Sequence, residues 1–218
     1  MARNGEYRFE AASAAGLIQQ LSVSYIKNSY FFYVMGRVRP GKDPAPIDDK
    51  IIEKYEIDKT KHGRYWDKKQ GKASLQYLRF EEIYLILATP GAHKFYAAEE
   101  DAIRDARRVP IKVFGHSVSY QAGHPSVRIE EQEFKRLKVY FREIAAKRTA
   151  EVLYQELNGL PYERYAPVRA QLLGLLREVN RARKAAGLRP VSDSCVRWKR
   201  KVCRPSPFKS REPVEEAE

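Results

Sequence analysis

The sequence predicts an α+β fold: a small, mainly antiparallel sheet backed by helices, with a helical, strongly basic C-terminal extension. Apolar residues step by three and four along residues 129–157 and 167–182, as amphipathic helices require. Runs rich in Val, Ile, Tyr and Phe at 25–38, 73–80, 82–89 and 110–120 are set apart by short turns, which suits an antiparallel sheet better than regular crossovers. Basic residues crowd toward the C-terminus, from Arg177 to Arg211.

Residues 10–21 carry Ala14, Leu17, Ile18 and Leu21 at helical spacing and predict a short amphipathic helix. Tyr30 to Val34 then predict a central strand, stopped by Pro40, Gly41 and Pro44, because proline cannot donate to a sheet. Asp48 and Asp49 suit the start of a short helix over 47–57. Residues 59–72 are polar and basic and predict a loop carrying Tyr65 and Trp66. The apolar runs 73–80 and 82–89 meet at Glu81 and Glu82, the sign of an antiparallel hairpin closed by Pro90 and Gly91.

Residues 99–108 predict a charged helical turn, and 110–120 a further strand followed by a turn at 123–125. One helix is expected over 129–157, with Ser126 as a cap and Gly159 and Pro161 as its end. Pro167 opens a last helix whose face is Leu172, Leu173, Leu176, Val179 and Ala182, and Gly187 is its C-cap. Three regions are expected: a sheet domain over 1–125, long helices packing on it over 126–190, and a basic then acidic tail over 191–218.

The 43% hydrophobic and 11% aromatic content of the 218 residues is a folding composition rather than a disordered one. No apolar run approaches the roughly 20 residues of a membrane span, and two cysteines supply no disulfide framework, so a cytoplasmic protein with no membrane partner is expected. The net charge is +13, and residues 177–211 hold twelve Lys or Arg against Glu178 and Asp193. Such a cluster attracts a polyanion and releases condensed counterions on binding, so the expected partner is nucleic acid. A basic scaffold for an acidic protein partner is the bland alternative.

Within that segment Ala185, Ala186 and Gly187 supply a tight turn, and Ser192 is placed to cap a second helix through Val196, Trp198 and Val202. The arrangement resembles a helix-turn-helix, with Arg197, Lys199, Arg200, Lys201 and Arg204 as the contacting set, and it implies DNA rather than RNA. Aromatics also interleave with cations at Arg64, Tyr65, Trp66, Lys68, Lys69 and Lys72, with Arg79 on the following strand, as in surfaces that stack bases while tracking a backbone.

An enzymatic alternative is a metal-dependent nuclease or a tyrosine strand-transfer enzyme. His93, Glu99 and Asp105 are its candidate ligands for Mg or Mn, and Tyr140 its candidate nucleophile. A sheet followed by a tyrosine-bearing helix resembles the single-tyrosine replication and transposition endonucleases. Their His-hydrophobic-His pair is absent, since the corresponding strand reads Tyr84-Leu85-Ile86-Leu87-Ala88-Thr89. No P-loop, dinucleotide fingerprint or Gly-x-Ser-x-Gly elbow is present, and no cofactor is expected. Intrahelical ion pairs around Asp101 and Asp105 account for the acidic cluster without a metal.

Overall fold

Residues 7–199, 201–204 and 206–209 are described by a computed structural model, which has the α+β architecture expected, with antiparallel sheets backed by helices. The chain divides into two compact units. One comprises residues 1–110, 120–125 and 203–218, the other residues 111–119 and 126–202.

In the first unit Ser13 caps α1 (Ala14–Gln19), its hydroxyl accepting from the Gly16 N–H, and the chain continues through a π turn and a 3-10 turn to Asn28. Strand β1 (Phe32–Arg37) therefore starts later than the β-rich composition of 25–38 predicts. Helix α2 (Ala45–Lys54) forms where expected, with proline in its first turn. Residues 59–72 are a correction. Nine of them form helix α3 (Lys61–Lys69), capped by the Thr60 hydroxyl and carrying Lys68 and Lys69 at its negative end. Its residues are none of them buried, so it has no apolar stripe for periodicity to detect.

Strands β2 (Leu75–Phe80) and β3 (Ile83–Ala88) form the predicted hairpin around Glu81, which takes a φ of 53°. The sheet order is β2-β3-β1-β4, all antiparallel, with β4 reduced to Arg104–Asp105. Residues 99–108 thus hold a short strand rather than the expected helical turn; the helix nearby is α4 (Lys94–Ala98), placed earlier and capped by His93. One core cluster gathers Val34, Leu75, Tyr77 and Ile86 with Ile52, Tyr55 and Phe95. The register pairs Gly36 with Tyr84, and a Cβ on Gly36 would meet the Tyr84 ring at 2.2 Å. Helix α1 packs against β2, and Leu78, Leu85 and Leu87 are fully buried too. Both faces of β3 are covered, which is why its sequence reads as a continuous apolar run instead of an alternation.

Strands β5 (Ile111–Val113), β6 (His116–Gln121) and β7 (His124–Ile129) form a three-stranded sheet in that order, of which residues 111–119 and 126–129 belong to the second unit. The single strand expected over 110–120 is a hairpin, and the turn expected at 123–125 is the start of β7. Phe114-Gly115 and Ala122-Gly123 have positive φ at both positions, as tight hairpin turns need. Pro125 is tolerated because β7 is an edge strand.

The helix expected over 129–157 is two: α5 (Glu131–Ile144) and α6 (Ala150–Gly159). Glu130, not Ser126, caps the first, and Thr149 starts the second by accepting from Val152 N–H. Helix α7 (Ala166–Ala185) runs as predicted, with Gly187 at a φ of 70° beyond its end. Its buried face contains a cation. Arg183 is 3% exposed and donates from Nη1 to the carbonyls of Ala145 and Arg148 at 2.8 and 2.7 Å, and from Nε to Arg189 O at 2.6 Å. It satisfies the carbonyls that the break after α5 leaves open.

The chain after α7 is held against it. The Asn180 side chain donates to Val191 O at 2.9 Å and accepts from Val191 N at 2.8 Å. Cys195 and Val196 are fully buried. Ser192 does act as a cap, but only of a 3-10 turn over Asp193–Cys195, after which Val196 is extended. Among the described residues the second helix of the expected helix-turn-helix is not formed. Short polar Ser and Asp side chains compete for the backbone there, and β-branched Val196 adds no helical preference. No helix among the described residues is long and apolar enough to cross a membrane.

Candidate nucleic-acid interface

In the second unit the α6–α7 connection and the segment after the 3-10 turn enclose a cavity of about 230 Å³. Four cations line it, Arg164, Arg197, Lys199 and Lys201, against one carboxylate, Glu163. The connection is kept open by Gly159, Leu160 and Pro161, which end α6 and carry the chain out before α7 begins.

Arg164 anchors the floor. It is 6% exposed, donating from Nη1 to Tyr162 O at 2.8 Å and from Nη2 to Leu157 O at 3.3 Å, while its buried Nε meets no acceptor. Burial, and then the charge of Arg197, push its pKa below the ordinary arginine value. A positive group held in this way is stabilised by an anion brought close to it. Arg197 donates from Nε to Asn158 Oδ1 at 3.3 Å, which leaves the rest of its guanidinium exposed. Lys199 and Lys201 are exposed, with no hydrogen bond or ion pair to any described residue.

Between Arg197 and Lys199 stands Trp198, 71% exposed. The Arg169 guanidinium lies over its ring, 3.4 Å from the centroid. This pairs α7 with a residue 29 positions further along, and neither Arg164 nor Arg169 was singled out by the sequence. No periodic or motif signal marks them. The contacts exist because Asn180 and the buried Cys195 and Val196 fold the basic segment back onto the helices.

Arg200 lies outside the described residues. Arg204 is exposed and belongs to the first unit, whereas Arg197, Lys199 and Lys201 belong to the second.

The first unit presents its own cationic and aromatic surface on α3. Tyr65 and Trp66 are 53% and 46% exposed, and Lys69 Nζ sits 4.9 and 5.2 Å from their ring centroids. Trp66 Nε1 donates to His62 Nε2 at 2.7 Å, one helical turn back. Lys68 and Lys72 are exposed, whereas Arg64 is turned inward onto the Lys59 carbonyl.

Arg79 is a correction. At 6% exposure it is not presented to any ligand; Nε binds Asp48 Oδ2 at 2.9 Å and Nη2 binds Glu10 at 3.2 Å.

The residues of the enzymatic alternative each have partners within their own unit. His93 Nδ1 accepts from Phe95 N–H at 3.0 Å, a helix-capping role, and burial with Lys59 and Lys94 nearby lowers its pKa. Glu99 accepts from the Tyr55 hydroxyl and from Lys54. Asp105 is on β4, chelated by Arg107 at 2.7 to 3.1 Å, so it shares no helical face with Asp101. Among the described residues no three His, Cys, Asp or Glu side chains are grouped to hold a metal. Tyr140, in the other unit, donates to Glu156 Oε2 at 2.9 Å, and that carboxylate raises its pKa, the opposite of nucleophile activation.

No protein-family model matches the sequence, and a search of curated proteins returns no match.

Proposed function

We propose that this protein binds nucleic acid through its phosphate backbone, with the basic segment around residues 197–201 as the principal contact. The observation that carries the reading is the cavity lined by Arg164, Arg197, Lys199 and Lys201, with exposed Trp198 at its edge in sequence. Exposed cations such as Lys199 and Lys201 are the groups that replace counterions on a polyanion, with the buried charge of Arg164 beneath them. A cavity below the roughly 300 Å³ of ordinary small-molecule sites suits a backbone phosphate better than a whole cofactor. The α3 surface, with Lys68, Lys69, Lys72 and Trp66, is a second place for the same chemistry.

Preference for DNA over RNA rested on a recognition helix. That helix is not formed among the described residues, so the proposal is for nucleic acid without base readout from a major groove. The test is fluorescence anisotropy with labelled oligonucleotides of unrelated sequence. The full chain should bind them all with similar affinity, and Lys199→Ala with Lys201→Ala should weaken all of them together. Absence of binding at low salt would refute the reading and favour an acidic protein partner.

A further inference from the structure

We infer that the Trp198 surface is built for an unpaired nucleotide, so that the nucleic acid bound here is single-stranded. The inference rests on the nucleic-acid reading above and narrows it to a class of ligand.

Trp198 has no core to fill: at 71% exposure it is the most exposed large hydrophobic residue among those described. Leaving an indole in water is unfavourable unless something covers it, yet this ring is not loose. The Arg169 guanidinium lies on one face at 3.4 Å, and Arg169 itself comes from the rigid α7. The ring is thus covered by a guanidinium while 71% of the residue stays open to solvent. A stacked guanidinium and indole make a platform to which a third flat π system adds naturally.

The flanking charges say which flat group fits. Arg197 and Lys199, the residues on either side of Trp198, both line the cationic cavity. Successive Cα atoms lie about 3.8 Å apart, so the backbone that carries the Trp198 ring is the backbone that borders the cavity. A phosphate joined to a planar base through a sugar meets both demands. In a duplex the base faces are covered by stacking and are not free to take the indole, so duplex can use the cations but not the ring. DNA and RNA single strands share this chemistry.

The experiment compares one 20-nucleotide sequence as single-stranded DNA, single-stranded RNA and duplex DNA at fixed salt. Full-length protein carrying Trp66→Phe has Trp198 as its sole tryptophan. Single strands should bind more tightly than duplex and quench Trp198 emission. Trp198→Ala should cost roughly 5- to 150-fold in single-strand affinity, leave duplex affinity unchanged, and Trp198→Phe should recover part of the loss. Because the side chain is exposed, these variants keep the fold, which circular dichroism verifies. Equal affinity for strand and duplex, with no quenching and no effect of Trp198→Ala, overturns the inference while leaving backbone binding intact. No binding of any of the three overturns the nucleic-acid reading itself.

Discussion

Arg79 holds the carboxylate of Asp48 inside the first unit, Nε lying 3.1 Å from Oδ1 and 2.9 Å from Oδ2 with both side chains nearly inaccessible. The Tyr77 hydroxyl donates to Oδ1 at 2.6 Å, so α2 and β2 are joined by a buried polar triad. Burial raises the Asp48 pKa, with Tyr77 and Arg79 opposing that rise. The arginine is therefore structural.

Removing it leaves an uncompensated buried carboxylate. Arg79→Ala should cost about 3–5 kcal/mol in denaturant unfolding, whereas nucleic-acid affinity of the fraction that stays folded should be unchanged. A stable Arg79→Ala protein with weakened binding would return this residue to the interface.

Truncation before Ser192 removes the basic segment together with Cys195 and Val196, which are 0% and 1% exposed. Losing a fully buried side chain of that size costs about 1.5–3 kcal/mol. The truncated chain should melt at lower temperature than the full chain, while Lys199→Ala and Lys201→Ala should not shift the melt. Calorimetry separates the two. A truncated protein as stable as the intact one would contradict the docking of this segment onto α7.

His116 is 3% exposed in β6; its Nδ1 is 2.9 Å from Phe114 O, its Nε2 is without a partner, and the Tyr162 ring lies against it at 5.3 Å. Burial lowers its pKa from 6.5, against smaller raising effects of the Phe114 carbonyl and Glu163. Since the folded value lies below the unfolded one, the unfolded chain takes up the proton first as pH falls. The contribution of the neutral histidine is present above the unfolded pKa of 6.5 and is lost below it. The melting temperature should drop on acidification through that range, and His116→Phe should flatten the drop. An unchanged pH profile in the variant would assign the effect elsewhere.

Incubation with single-stranded or duplex DNA or RNA, with magnesium or manganese, should yield neither cleavage products nor a covalent adduct. His93 caps α4, Asp105 is taken by Arg107, and the Tyr140 hydroxyl is tied to Glu156. Tyr140→Phe should bind as the parent does. Gel detection of an adduct lost in Tyr140→Phe would reinstate strand-transfer chemistry.

The α+β class was legible because it rests on period and composition: α7, the hairpin of β2 and β3 and the strand around Val34 all carry strong local signals. What escaped depends on single residues or on distance. Helix α3 is set by the Thr60 cap, without an apolar face. The break between α5 and α6 keeps the apolar spacing running across it, and only Thr149 and the buried Arg183 reveal it. Positive φ at Phe114 and Ala122 is carried by residues that do not advertise a turn. Of the proposed interface, Arg197, Lys199 and Lys201 stand out in the sequence by charge density alone. Arg164 and Arg169 join them only through tertiary folding, and Arg79 was misplaced because a buried cation and an exposed one look alike in sequence.

The most direct test of the central claim is the salt dependence of affinity for a single-stranded oligonucleotide, measured for the full chain and for Lys199→Ala with Lys201→Ala. Each phosphate contact contributes about 0.7 to the slope of log affinity against log salt on single strands. A steep negative slope is expected for the full chain, and one shallower by about 1.4 for the double variant. Identical slopes in the two proteins, or an affinity that does not respond to salt, would contradict the claim.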